Sequence, residues 1–201
     1  MKIGFIGLGN VGGKLAGSLM RNGLNVSVHD LNQSFVEKFV EDGAKDGHSA
    51  QNLMQTCDVV ITCLPTPEAS GLVVKEMLPF VAVGKIWLEM STTDAKEVKN
   101  LAELIVAAGG EAVDCPVSGG CHRADTGNIS IYAGCVRETF EKVLPILSHM
   151  GRRILHVGDV GTASLLKVMT NYLATANLIT ICEALTVMKA VSYTHLRAHE
   201  T

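Results

Sequence analysis

Within the apolar stretch "GTASLLKVMTNYLATANLITICEAL" one lysine, Lys167, and one asparagine, Asn171, stand four residues apart. On a helix, about 100° per residue places such a pair only roughly 40° apart around the axis, so ammonium and amide point into the same space. A lysine held against apolar walls has its pKa lowered and can pass a proton near neutral pH. The same two residues also fit a lysine that snorkels to solvent from a helix edge and an asparagine that caps a neighbouring group.

A second group is suited to an anion. "GLGNVG" supplies Gly7, Gly9 and Gly12, with Leu8, Asn10 and Val11 between them, directly after the apolar run "KIGFIG". Gly7 permits a tight turn, Gly9 lets the backbone approach a pyrophosphate, and Gly12 lets helix and strand pack closely. A glycine-rich turn alone also occurs for structural reasons. Here the next apolar run ends in Asp30, where a carboxylate can accept from ribose hydroxyls and repel a 2′-phosphate. With no arginine close behind Asp30, NAD is expected in preference to NADP. Two further runs end in Leu64-Pro65 and Ser91-Thr92, and Leu64, Pro65 and Thr92 join the candidate cofactor contacts. Pro65 also suits a simple strand stop, and Thr92 a turn before a helix. The six cysteines form no C-x-x-C pair and no zinc-like cluster with histidine, so no metal site is expected.

The elements needed to position these residues are legible in the hydrophobic period. "KIGFIG", "NVSVHD", "CDVVITCLP", "KIWLEM", "EAVD", "NISIYAG" and "RRILHVG" read as strands. Between them run helical patterns: Leu15, Leu19 and Met20; Phe35, Phe39 and Val40; Val73, Met77 and Leu78; Val98, Leu101, Ala102, Ile105 and Ala108; Phe140, Val143, Leu144 and Leu147. Asp94 is placed to cap the fourth of these, with Glu97 reaching back. Repeated strand–helix alternation predicts an α/β fold, a doubly wound Rossmann-type sheet that is mostly parallel. From Gly161 the pattern changes to one long helix toward residue 190. The expected organisation is a cofactor domain over 1–160, the long helix over 161–190, and a tail over 191–201.

A formal charge of -3 and 47% hydrophobic residues describe a globular chain without a basic field, which excludes a nucleic-acid partner. The start lacks a signal-peptide core, and scattered thiols suit a reducing compartment, so a cytoplasmic location is expected. Glu183 and Lys189 interrupt the apolar run from Val168 to Val191, which therefore reads as a buried helix and not as a membrane span.

Three segments together resemble the β-hydroxyacid dehydrogenases, the family of 3-hydroxyisobutyrate dehydrogenase and tartronate semialdehyde reductase. They are "GFIGLGNVGGKLAGSL", "DCPVSGGCHRADTGNISIYAG" and "GDVGTASLLKVMTN", in family order along the chain. The resemblance implies that Lys167 is the catalytic lysine and Asn171 its companion, and that Ser118, Gly119 and Gly120 bind a substrate carboxylate. A run of backbone N–H groups beside a hydroxyl is chemically apt for that. The implied activity is NAD-dependent oxidation of a small 3-hydroxy acid, or reduction of the matching semialdehyde, by a homo-oligomer. The competing reading is a nucleotide-binding module without turnover, as in non-catalytic members; the retained Lys167 argues against it and against imine-reductase relatives.

The sequence departs from the family pattern at Cys115, Arg123, Asn128, Ile129 and Ala163, which blurs the substrate. His122 is expected to be an exposed loop residue. The resemblance also implies a second, all-helical domain after the long helix. It is read as missing, so C-terminal truncation is expected. "VSYTHLRAHET" resembles a translated sequencing-adapter tail, and its His195 and His199 are discounted as metal ligands.

Overall fold

The computed structural model describes residues 1–191 and divides the chain into two units, Met1–Lys167 and the segment from Val168 onward. In the first unit the apolar runs become strands of a single sheet. β1 (Ile3–Ile6), β2 (Val26–His29), β3 (Lys45–Asp46), β4 (Val59–Thr62), β5 (Ile86–Glu89) and β6 (Glu111–Asp114) lie parallel in the order β3-β2-β1-β4-β5-β6. β8 (Ile129–Gly134) runs antiparallel to β6 and to the short β7 (Val117–Ser118), and β9 (Gly151–Gly158) pairs parallel with β8. The sheet is the mostly parallel, doubly wound Rossmann type. The order in which strands are added reverses between β1 and β4, where Ile3 pairs with Val26 on one side and Val59 on the other. A crevice at such a switch point, beyond the carboxyl ends of the strands, is where ligands of this architecture bind.

Strands covered on both faces need apolar residues at consecutive positions, and these have them. Ile3, Phe5, Val59, Ile61, Ile86 and Leu88 join one buried cluster, whereas Ile6, Val60 and Trp87 join the other. The helices covering the faces are α1 (Gly12–Arg21), α2 (Gln33–Glu41), α3 (Ala50–Thr56), α4 (Pro67–Met77), α5 (Ala95–Ala107), α6 (Gly120–Asp125) and α7 (Arg137–Ser148). Asp94 caps α5 as expected, accepting from the N–H groups of Lys96 and Glu97 at 2.8 and 3.2 Å.

Several readings of the sequence differ from the structure. β3, α3, β7 and α6 were not legible: the two strands have two residues each, and the helices seven and six, too short for a period to declare itself. On α2 the deepest residue is Val36, while Phe35 and Val40 are exposed. Ala108 and Leu144 likewise lie at the exposed margins of their stripes. His122 is exposed, but it belongs to α6 and not to a loop.

The last helix, α8 (Thr162–Ala190), begins in the first unit with Ala163 and Ser164 buried. In the second unit its apolar residues, among them Leu173, Leu178, Ile179, Ile181 and Leu185, are exposed. The expectation of a buried helix is therefore corrected. Composition states a preference for burial, but burial also needs a partner surface, and the described residues supply none for these side chains. By length and composition alone the helix could cross a membrane. His195 and His199 lie outside the described residues.

Candidate active site

The glycine loop links the end of β1 to α1 and is shaped by close approach. Gly7 has φ 95°, and its N–H donates to the His29 carbonyl at 3.0 Å. A Cβ on Gly7 would overlap the Cys63 carbonyl oxygen, and one on Gly12 would overlap the carbonyl oxygen of Gly7. Gly9 differs: a Cβ there meets nothing within 4 Å, so it faces open space. No side chain caps the start of α1; the Gly13 and Lys14 N–H groups donate to the Gly9 and Val11 carbonyls at 2.9 and 3.0 Å, and the positive end of the helix dipole faces the loop. The loop thus has room for a pyrophosphate, which Gly9 and the start of α1 would hold.

Asp30 is already engaged. Its carboxylate accepts from the Leu8 N–H at 2.6 Å and the Asn32 N–H at 2.8 Å, tying the glycine loop to the end of β2. Two oxygens offer about four acceptor sites, so two remain for ribose hydroxyls. If Asp30 selects NAD as the sequence leads one to expect, replacing it with asparagine should weaken NAD binding about tenfold and shift the balance toward NADP, since one charge-assisted acceptor is lost. Asp30→Ala should in addition lower the melting temperature by releasing Leu8. Titration calorimetry with both dinucleotides checks this, and an unaltered preference in both variants would contradict it.

A cavity of about 830 Å³ opens across the carboxyl ends of the strands. It is lined by Gly7, Gly9, Asn10, Val11 and Gly12, by Asp30, by Leu64 and Pro65, by Thr92, and on the far side by Gly120 and Lys167. Leu8, Ser118 and Gly119 do not line it. Leu8 is buried and serves through its N–H, Ser118 pairs with Ser130 in the β7–β8 ladder, and Gly119, with φ 132°, forms the exposed turn into α6. Asn171 falls in the second unit, exposed on α8. Lys167 is partly buried, and loss of solvent lowers its pKa from the ordinary lysine value.

Leu31, Phe35 and Leu72 also line the cavity while being among the exposed large apolar residues. They sit near Asp30 and α4, where an apolar wall suits an adenine ring. The sequence carries a signal for this wall: Leu31 directly follows the carboxylate expected to meet ribose, and Phe35 lies one turn later, at a spacing that fits a core face equally well.

In the cavity lining, Ser91 joins two strand ends. Its hydroxyl accepts from the Leu64 N–H at 2.8 Å, and its own N–H donates to Glu89 Oε1 at 2.8 Å. Glu89 is wholly buried, its Oε2 has no hydrogen-bond partner, and burial pushes its carboxyl above the ordinary value. A raised acid makes the folded state retain a proton that the unfolded state has lost, so this residue's contribution is full at low pH and fades as pH rises past the ordinary value. Glu89→Gln should therefore raise the melting temperature by a few degrees at neutral pH and leave it unchanged near pH 4. Equal effects at both pH values would refute this account. Cys63 and Cys135 are poor nucleophiles: burial pushes the first thiol up to about 12 and the second to about 11. Among the described residues no cluster of histidine, cysteine and carboxylate groups is placed to hold a metal.

Known proteins resemble this chain in sequence and in fold. The chain is 34% identical over 191 residues to 2-(hydroxymethyl)glutarate dehydrogenase of Eubacterium barkeri, covering 92% of this chain and 62% of that protein. It is 36% identical over 174 residues to 3-hydroxyisobutyrate dehydrogenase of Pseudomonas aeruginosa, covering 85% and 58%. The solved structure of Mycobacterium tuberculosis 3-hydroxyisobutyrate dehydrogenase with L-serine superposes with a TM-score of 0.92 at 26% identity, covering 96% of this chain and 66% of that one. The chain thus spans about two thirds of the relatives' length or less. Residues 2–158, which contain the glycine cradle, Asp30 and the switch-point crevice, match the family described as the NAD binding domain of 6-phosphogluconate dehydrogenase, and to that family of nicotinamide-cofactor domains this chain belongs.

Proposed function

We propose that this chain carries the cofactor site and the proton-transfer lysine of an NAD-dependent dehydrogenase that oxidises small 3-hydroxy acids or reduces the matching semialdehydes. The observation that carries the reading is that Lys167 and Gly120 line the same cavity as the glycine cradle and Asp30. A nicotinamide cofactor held by the glycine loop and Asp30 would supply the hydride acceptor for the carbinol carbon. The chain's own residues do the rest. Gly120, which lines the cavity, would hold the substrate carboxylate through its N–H, and Ser118 and Gly119 join it through the family resemblance alone. Neutral Lys167 takes the hydroxyl proton as the carbonyl forms, and returns it in the reducing direction. Leu31, Phe35 and Leu72 exclude water from the adenine side, and Asp30 accepts from the ribose. Asn171 enters this reading through the family resemblance alone. The intact protein would be a homo-oligomer acting on a small molecule.

A nucleotide-binding module without turnover is the second reading, favoured by the partial exposure of Lys167 and the exposure of Asn171. Thermal shift with NAD and NADP, followed by NADH formation with a panel of 3-hydroxy acids, separates the two. A ligand present at a hundred times its Kd stabilises by about 2.7 kcal/mol, which is easily seen. Stabilisation without NADH from any acid selects the second reading. No stabilisation by either dinucleotide defeats both.

A further inference from the structure

Asp114 ends β6 and is 1% exposed. Its carboxylate takes three hydrogen bonds from the start of α8. Oδ2 accepts from the N–H groups of Gly161 and Ser164 at 2.9 and 2.8 Å, and Oδ1 from the Ser164 hydroxyl at 2.6 Å. Gly161 immediately precedes α8 and Ser164 is its third residue, so these N–H groups belong to the first turn, which has no intrahelical acceptors. The usual remedy is a neighbouring side chain. Here Thr162 turns its hydroxyl to the Asp159 carbonyl instead, and the cap comes from a residue 47 positions away. A carboxylate at that end also complements the helix dipole.

The placement matters because of what lies on either side of it. Lys167 follows Ser164 by three residues, and a helical side chain covers the turn N-terminal to its own Cα. The turn that Asp114 grips is therefore the one over which the lysine lies. In the other direction, Asp114 leads directly into Cys115, whose N–H is pinned to the Glu89 carbonyl at 2.7 Å, and on to Ser118 and Gly120. One buried carboxylate fastens the start of the lysine helix to the strand that feeds the substrate loop.

We propose that Asp114 is the positioning residue for Lys167, a tertiary cap that sets where the amine enters the cofactor cavity. Its importance for turnover rests on the reading of Lys167 as the proton-transfer group, but the positioning itself can be measured without catalysis. Losing the grip lets the first turn fray and Lys167 become hydrated, which raises its pKa toward the solution value. Replacing the carboxylate by a neutral amide that keeps the grip leaves the amine as dry as before, so its titration is not raised.

The test is NMR of the reductively ¹³C-methylated chain, with Lys167→Arg to assign the Lys167 signal, titrated in the parent, Asp114→Ala and Asp114→Asn proteins. Asparagine keeps an acceptor for both N–H groups and can donate to the Ser164 hydroxyl. The expected result is an upward shift of the Lys167 titration in Asp114→Ala and an unchanged or lower midpoint in Asp114→Asn. Circular dichroism establishes that each variant folds. If Asp114→Ala does not fold, Ser164→Ala takes its place, removing one of the three bonds, and a smaller upward shift is expected. An unmoved Lys167 midpoint in the folded alanine variant, or equal shifts in the alanine and asparagine variants, overturns the proposal. Failure of the dehydrogenase reading would show elsewhere, as absence of turnover with the Lys167 shift intact.

Discussion

On the proposed dehydrogenase reading, Lys167→Met in the full-length protein should lower turnover of the best 3-hydroxy acid by about 10²–10⁴-fold, the usual worth of a positioned acid or base, and leave NAD affinity within about twofold. Methionine keeps the length and apolar stem of lysine, so helix packing is preserved and only the titrating amine is lost. The pH dependence has a definite sign. Oxidation needs the neutral amine, so the parent's rate rises with pH through the Lys167 pKa, which burial has lowered from 10.5. Reduction needs the ammonium and falls across the same range. Initial rates of NADH formation and consumption over a pH series measure both limbs. Methionine at this position with undiminished oxidation would remove the proton-transfer reading.

Gly12→Val removes dinucleotide binding, with affinity falling at least about 100-fold, or roughly 2.7 kcal/mol. A Cβ there overlaps the Gly7 carbonyl oxygen, so backbone must move, and the loop that moves is the one expected to hold the pyrophosphate. Overpacking of this kind also costs about 1–3 kcal/mol of stability. Gly9→Ala provides the contrast. Its Cβ projects into open space in the free protein, so the melting temperature should hold while affinity falls, because the methyl occupies the ligand's place. Calorimetry and thermal melts on both variants test the pair. Normal NAD binding by Gly12→Val would show that the dinucleotide lies elsewhere.

Much of the fold was legible because its signals are local. Four-residue apolar strands buried on both faces, such as Val59–Thr62 and Ile86–Glu89, need uninterrupted hydrophobic runs, and the sequence contains them. The glycine loop was legible for a related reason, since backbone crowding at Gly7 and Gly12 admits no other residue. Phe35 misled because an aromatic residue at helical spacing looks the same whether it faces the core or a ligand cavity. Glu89 gave no warning: glutamate ending a strand ordinarily meets water, and only the layers above and below bury it.

Residue order by itself determined the alternation of strands and helices, the phosphate cradle, the acidic end of β2, and the presence of one amine within an apolar helix. Hydrophobic period and steric exclusion act over a few residues, and that is the range a linear reading can resolve. The tertiary structure alone decided that Lys167 and Gly120 share a cavity with a loop at the far end of the chain. It likewise decided that Asp30 braces the loop it serves, and that Asp114 caps a helix 47 residues away. Those pairings depend on which strands lie side by side and on which buried polar groups find partners, conditions met only once the whole sheet has closed over its two cores.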